Sequence, residues 1–326
     1  MNPRRAKSIL LLAAALTTAF FAGLTAWNRM APFPKDSSTT RPDPVETWRQ
    51  EALNRIRPHY ANAFVEARAA ADACANEFDQ WLASRASQSG ALARDLLSWD
   101  AKWNLMTSKL PWGDPNAFRK YAEWRFRARI FSAADLTAHA QLTSRELATS
   151  LKAIEDKLLV AVRADLDSIP APACLGSKDD AAFAQAYDNA LKAAITNSQL
   201  ATLEELSNMA DGALIQILIT AVVERAVAEG LVSAGILSAG ALGSAESFGL
   251  ALVVGIVIDQ VITWINNPEA QLSAAIQKEM EKIRSAVMDG DTGRHGLKQQ
   301  LLITADRWAA LHAKALVTYV LAAGSH

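Results

Sequence analysis

Between Gly212 and Trp264 the chain carries a stretch that no ordinary surface helix can have. No charged side chain occurs between Glu229 and Glu246, and small residues recur at every fourth position: Gly235, Ala239, Gly243, Ser247, Ala251 and Gly255, ahead of Asp259. On an α-helix each step of four advances ~400°, so the small stripe drifts ~40° per step and cannot stay on one face of a straight helix. Two short helices meeting near Gly243–Ser247 satisfy the pattern, each offering a narrow face for close small-xxx-small packing. Arg225 and Asp259 form a candidate ion pair if the first helix returns beside the last. Length and charge then set the options. Leu231–Ala245 spans only ~22 Å as a helix, short of a ~30 Å hydrocarbon layer. Glu224, Arg225 and Glu229 would each cost ~2.5–3.5 kcal/mol at a bilayer centre. Three fates are open for this hydrophobic hairpin: insertion in a membrane, burial as the core of a helical bundle, or a switch between the two as in a pore-forming toxin.

The amino terminus also points to a membrane. Arg4, Arg5 and Lys7 precede an uncharged run from Ile9 to Ala26, close to the length that spans a bilayer. The run is long for a secretory signal, and Leu24-Thr25-Ala26 is a poor cleavage site, so residues 1–30 read as a signal-anchor helix. The basic flank puts the extreme amino terminus in the cytoplasm. A bacterial-type inner membrane is therefore the expected location, with the bulk of the chain periplasmic. Residues 31–44, with Pro32, Pro34, Pro42 and Pro44 among Ser and Thr, form a semi-rigid tether. Asp43-Pro44 has the cap-then-proline form of a helix start.

The remainder reads as helix. Alanine and leucine dominate, and aromatic residues are only 7%. Tyr60, Phe64, Ala67, Ala71, Cys74, Phe78 and Trp81 alternate in steps of four and three, a heptad seam of the coiled-coil kind. Leu92, Leu96, Trp99, Trp103, Met106 and Leu110 continue it beyond a turn expected near Ser87–Gly90. Residues 117–131 interleave Arg119, Lys120, Arg125, Arg127 and Arg129 with aromatic side chains. Tyr121, Trp124, Ala128 and Phe131 share an arc expected to bury in a bundle, while an interfacial helix on anionic lipid is the competing reading. A capping box at Ser132 and Asp135 opens a helix with the seam Leu136, Ala140, Thr143, Leu147, Leu151, Ile154 and Leu158. Residues 179–210 supply a further helical stretch. The carboxy-terminal pair has seams Leu272, Ile276, Met280, Ile283, Val287 and Leu297, Leu301, Thr304, Trp308, Leu311, Ala315, Tyr319.

Chemistry is sparse. The formal net charge is -1, which supplies no field for nucleic acid, and no nucleic-acid partner is expected. The five histidines are scattered outside any metal-ligand spacing, and no phosphate loop or nucleophile elbow appears. Cys74 and Cys174 form a candidate disulfide, suited to an oxidising periplasm, against the alternative of two buried thiols. Residues 289–293 resemble a calcium loop in composition, but Arg294 stands where glycine is needed and Gln300 where glutamate is needed, which favours a plain turn. No catalytic residue, cofactor or metal site is assigned.

The sequence thus describes an all-α, membrane-anchored bundle. Residues 1–30 are the anchor, 31–44 the tether, 45–211 a helical domain, 212–266 the Gly/Ala-rich hairpin and 267–326 a helical pair. The expected function is a cell-envelope scaffold or partner-binding protein, with membrane lipid, a second copy or an envelope protein as partner. A pore or transport component acting through the hairpin is the first alternative, and a hydrolase with a discontinuous site the second.

Overall fold

The structure, a computed structural model, describes residues 43–170, 172, 179–198, 268–291 and 294–323. The chain divides into two units, Met1–Asp43 and Pro44–His326, and the elements below all belong to the second. They are α1 (Pro44–Ala86), α2 (Ser89–Leu96), α3 (Trp99–Thr107), α4 (Ala117–Arg129), α5 (Ala133–Ser168), α6 (Asp180–Ser198), α7 (Pro268–Asp289), the two-residue strands β1 (Gly290–Asp291) and β2 (Arg294–His295), and α8 (Leu297–Ala322). The described chain is therefore all-α apart from one minimal antiparallel ladder, in which Gly290 faces His295 and Asp291 faces Arg294.

The organising element among these is α1, whose 43 residues extend roughly 65 Å at 1.5 Å per residue. It carries a proline inside the helix, Pro58. The lost N–H and the ring's clash with the preceding turn are tolerable there because Pro58 is exposed and water can reach the backbone. The buried face is mostly small: Ala52, Ala63, Ala67, Ala71, Cys74 and Ala75, with Ile56, Phe78 and Leu82. Such a face lets larger side chains from neighbours come close, and interaxial distance follows side-chain size. The neighbours supply that bulk through Leu147, Leu151, Leu158 and Val162 of α5 and Leu301, Trp308, Leu311 and Leu316 of α8, all buried.

Polar rungs fix the register. Along α5, Arg55 meets Ser168, His59 meets Asp165 at 2.7 Å and Glu66 meets Lys157. One number rises as the other falls, so the helices are antiparallel. Along the other flank, Arg49 donates to the carbonyl of Ala323, Arg68 pairs with Asp306 and Asp72 with Lys298, all on α8. The series continues onto α7 with Asp79–Arg284, Ser89–Ser273 and Arg94–Glu269. Helices α7 and α8 thus run in line, antiparallel to α1 and α2, with the β1–β2 turn as their joint. Gly296 makes the joint compact: a Cβ there would lie 2.3 Å from the Met288 carbonyl oxygen. These rungs are partly exposed and individually worth ~0–1 kcal/mol; burial carries the stability.

The seams of α5, α7 and α8 are packed as the periodicity predicts. All seven positions of the α5 seam and all five of α7 are buried, as are those of α8 apart from half-buried Thr304. The turn near Ser87–Gly90 is present, with α1 ending at Ala86 and α2 starting at Ser89. The capping box is formed: the Ser132 hydroxyl accepts from the Asp135 N–H, and the Asp135 carboxylate accepts from the Ser132 N–H.

Three expectations fail. Phe64, assigned to the α1 seam, is exposed, and Ala63 beside it is buried instead. The run Leu92 to Leu110 does not bury as one seam. Leu92 and Leu96 are inside, whereas Trp99, Trp103, Met106 and Leu110 are exposed. The helix stops at Leu96, and Ser98 restarts it as an N-cap accepting from the Ala101 N–H, so Trp99 no longer continues the line of Leu96. In α4 the buried face is Phe118, Ala122 and Phe126, rotated away from the expected arc; of that arc Phe131 is buried, but Trp124 and Ala128 are exposed. Asp95 on α2 sets this rotation: it draws in Arg129 at 2.8 Å and Arg125 at 3.7 Å, while the Tyr121 hydroxyl donates to the Asp95 carbonyl.

Candidate functional site

Two places concentrate groups capable of chemistry or recognition. The first is inside the bundle, where α5, α6 and α8 meet. The Tyr187 hydroxyl lies 2.5 Å from Nδ1 of His312. The Glu155 carboxylate is 3.8 Å from the same nitrogen, and Lys152 holds Glu155 at 3.1 Å. The Trp308 ring stacks obliquely on the imidazole with centroids 4.4 Å apart. Tyr187 and His312 are each 3% exposed.

Burial, reinforced by the Lys152 charge, pushes His312 down to about 4. Burial, and then the Glu155 charge, raise the Tyr187 phenol above its ordinary value. The imidazole is therefore neutral and the phenol protonated near pH 7, so the hydroxyl donates to Nδ1 and the ring proton sits on Nε2. A Tyr-His-Glu series superficially resembles a proton relay. Here it is closed: the acceptor nitrogen is filled by the phenol, and the carboxylate is held by a lysine of its own helix. Its effect is to fix α6 against α8 and α5.

The second place is the segment Ser98 to Phe131, at the end of the bundle opposite Pro44. Four of the nine tryptophans of the chain fall here. Trp99 is 72% exposed, Trp103 55%, Trp112 81% and Trp124 56%. Phe118, Phe126 and Phe131 of the same segment are all buried. The other described tryptophans, Trp48, Trp81 and Trp308, are buried or half-buried. On α3, Trp99, Trp103 and Met106 follow one another at i, i+4 and i+7, so they share an arc of ~60°. Leu110 and Trp112 follow in the loop.

That loop is held tightly. Gly113 donates to the Leu110 carbonyl at 3.0 Å, and a Cβ at Gly113 would sit 1.7 Å from the Thr107 carbonyl oxygen. The Asp114 carboxylate accepts from the Asn116 N–H and from Lys120, and Lys120 accordingly holds it below the usual carboxylate range. Seven basic side chains stand against three acidic ones from Ser98 to Phe131, a local excess in a chain of net charge -1. Arg125 lies over the Trp124 ring at 4.3 Å, while Lys102 and Lys109 are exposed on and just beyond α3.

Residues singled out from the sequence distribute as follows. Cys74 is buried in the α1 seam, and burial together with Glu146 and Glu77 pushes its thiol up to about 11. Its candidate partner Cys174 lies outside the described residues, as do Arg225, Asp259 and the small-residue ladder Gly235, Ala239, Gly243, Ser247, Ala251 and Gly255. Among the described residues no group of three or more His, Cys, Asp or Glu side chains is gathered to hold a metal ion. Nor is any described helix long and apolar enough to cross a membrane; the amino-terminal run and residues 212–266 are outside that set. Sequence reasoning missed the tryptophan platform by assigning Trp99, Trp103 and Met106 to a seam. The signal that could have found it was the crowding of tryptophan and cations into one segment. No protein-family model, curated protein or solved structure matches the chain.

Proposed function

We propose that this protein is a membrane-anchored scaffold of the cell envelope, whose helical bundle carries a recognition surface. The observation that supports it is the continuous set of polar rungs from Arg49–Ala323 to Arg94–Glu269. These rungs lie over a core that accompanies α1 along its length. Such a build resists bending and puts Pro44 and the tryptophan platform at opposite ends of α1. The buried Tyr187–His312 pair, closed on itself, favours this reading over a hydrolase.

A scaffold works through defined lateral contacts, and the flanks of the bundle offer Val65 at 66% exposure and Val160 at 71%. Photo-cross-linkers placed at these two positions of the full chain in intact cells test the reading. The expected result is a discrete adduct, with a second copy or one envelope protein, from at least one flank. A chain that stays monomeric and yields no discrete adduct from either position overturns it.

A further inference from the structure

We infer that the exposed face of α3, with the Trp112 loop, is a docking surface for an anionic lipid bilayer. The inference rests on the scaffold reading and names what the tryptophan-bearing end of the bundle meets. The area is sufficient. A tryptophan presents on the order of 150–250 Å², so Trp99, Trp103 and Trp112, all more than half exposed, offer on the order of 300–500 Å², as large as the largest apolar patch on a typical monomer.

The chemistry then selects the occupant. Tryptophan has an apolar body and one N–H donor, which suits the headgroup level of a bilayer, where both find a place. Phenylalanine lacks the polar handle, and every phenylalanine of this segment is inside. Lys102 borders the Trp99–Trp103–Met106 arc, and Lys109 follows one heptad later; long cationic side chains can extend toward phosphate groups while their stems lie on the apolar surface. Arg125, Arg127, Arg129 and Lys120 are occupied by Asp95, Glu123 and Asp114; on the α3 side Lys102 and Lys109 outweigh the one acid, exposed Asp100 in the first turn of the helix. Anionic headgroups supply those lysines with a counter-charge.

The test uses the full chain reconstituted in vesicles, with p-benzoylphenylalanine replacing Trp112. Position 112 is a loop site at 81% exposure, and helix content by circular dichroism checks that the fold is intact. Vesicles of phosphatidylcholine with one quarter phosphatidylglycerol are compared with phosphatidylcholine alone at low salt. The expected result is lipid adduct at 112 in the anionic vesicles, with the docked fraction lowered about fivefold by Lys102→Gln and again by Lys109→Gln. That factor follows from ~1 kcal/mol per cation at an anionic surface. The same reporter at Val160 should give none. Equal lipid labelling in both vesicles, adducts confined to residues 212–266 or to a second copy, or no adduct at all would overturn the proposal. Failure at position 112 with discrete flank adducts at Val65 or Val160 would remove the lipid surface and leave the scaffold standing.

Discussion

Protonation of His312 should loosen the bundle on mild acidification. The imidazole is 3% exposed, its Nδ1 accepts from Tyr187, and burial with the Lys152 charge brings it from 6.5 to about 4. Glu155 at 3.8 Å would favour the imidazolium, but that carboxylate is already engaged by Lys152. The sign follows from linkage. Because the folded value lies below the unfolded one, the unfolded chain takes up a proton first, so the stabilisation is full above pH 6.5. It is lost progressively down to about pH 4. At about 1.4 kcal/mol for each pH unit between the two values, the loss is roughly 3 kcal/mol. The assay is urea unfolding of the full chain in a mild detergent, followed by helical ellipticity from pH 7.5 to 4, for wild type and His312→Gln. Glutamine can accept from Tyr187 but does not titrate. The variant should start less stable, because it repacks against Trp308, and should lose roughly 3 kcal/mol less across the window. His139, depressed by its own burial, and Asp79 and Asp135, depressed by hydrogen bonds from Arg284 and Ser132, titrate in both proteins and cancel in the comparison. Parallel pH profiles for the two proteins would refute the assignment of a neutral, proton-excluding His312.

Three further outcomes follow from particular contacts. Tyr187→Phe leaves Nδ1 of His312 buried without its donor and should cost about 1–3 kcal/mol in the same unfolding assay; an unchanged midpoint would mean that the pair is not formed. Pro58→Ala restores an N–H in the middle of α1 at an exposed site, and given the ~3 kcal/mol interior penalty of proline relative to alanine the thermal midpoint should rise, with a fall counting against an unbroken α1. Gly113→Ala forces a Cβ to within 1.7 Å of the Thr107 carbonyl, so the end of α3 must open, and limited proteolysis should gain a cleavage between residues 104 and 116 while the α1–α5–α8 core persists.

How far these features were legible in the sequence depends on the range of the interaction that fixes each one. The seams of α5, α7 and α8 read correctly because each helix is long enough for its own period to define a face, and a long apolar face must be buried. The Tyr187–His312 pair was invisible, since its members are 125 positions apart and neither has a distinctive neighbour. The α3 stripe misled for a different reason. Periodicity shows which side chains share a face, not whether anything packs on it, and a heptad phase can survive a helix break that changes the axis. Ser98 makes that break by capping a new helix, and Asp95 then fixes α4 by pairs with Arg125 and Arg129, so the faces that close are Leu92–Leu96 and Phe118–Phe126.

The residue types in this segment nonetheless carried information that the period alone did not. If apolar side chains there were distributed by packing needs only, tryptophan and phenylalanine would be interchangeable as large fillers. Instead Phe118, Phe126 and Phe131 are all inside, and Trp99, Trp103, Trp112 and Trp124 are all outside. The two rings differ chiefly in the indole N–H and in size, and both differences matter most where one side of a ring is dry and the other wet. A segment that retains four such rings outside, with Lys102 and Lys109 among them, has the composition expected of a membrane interface rather than of an unfinished core.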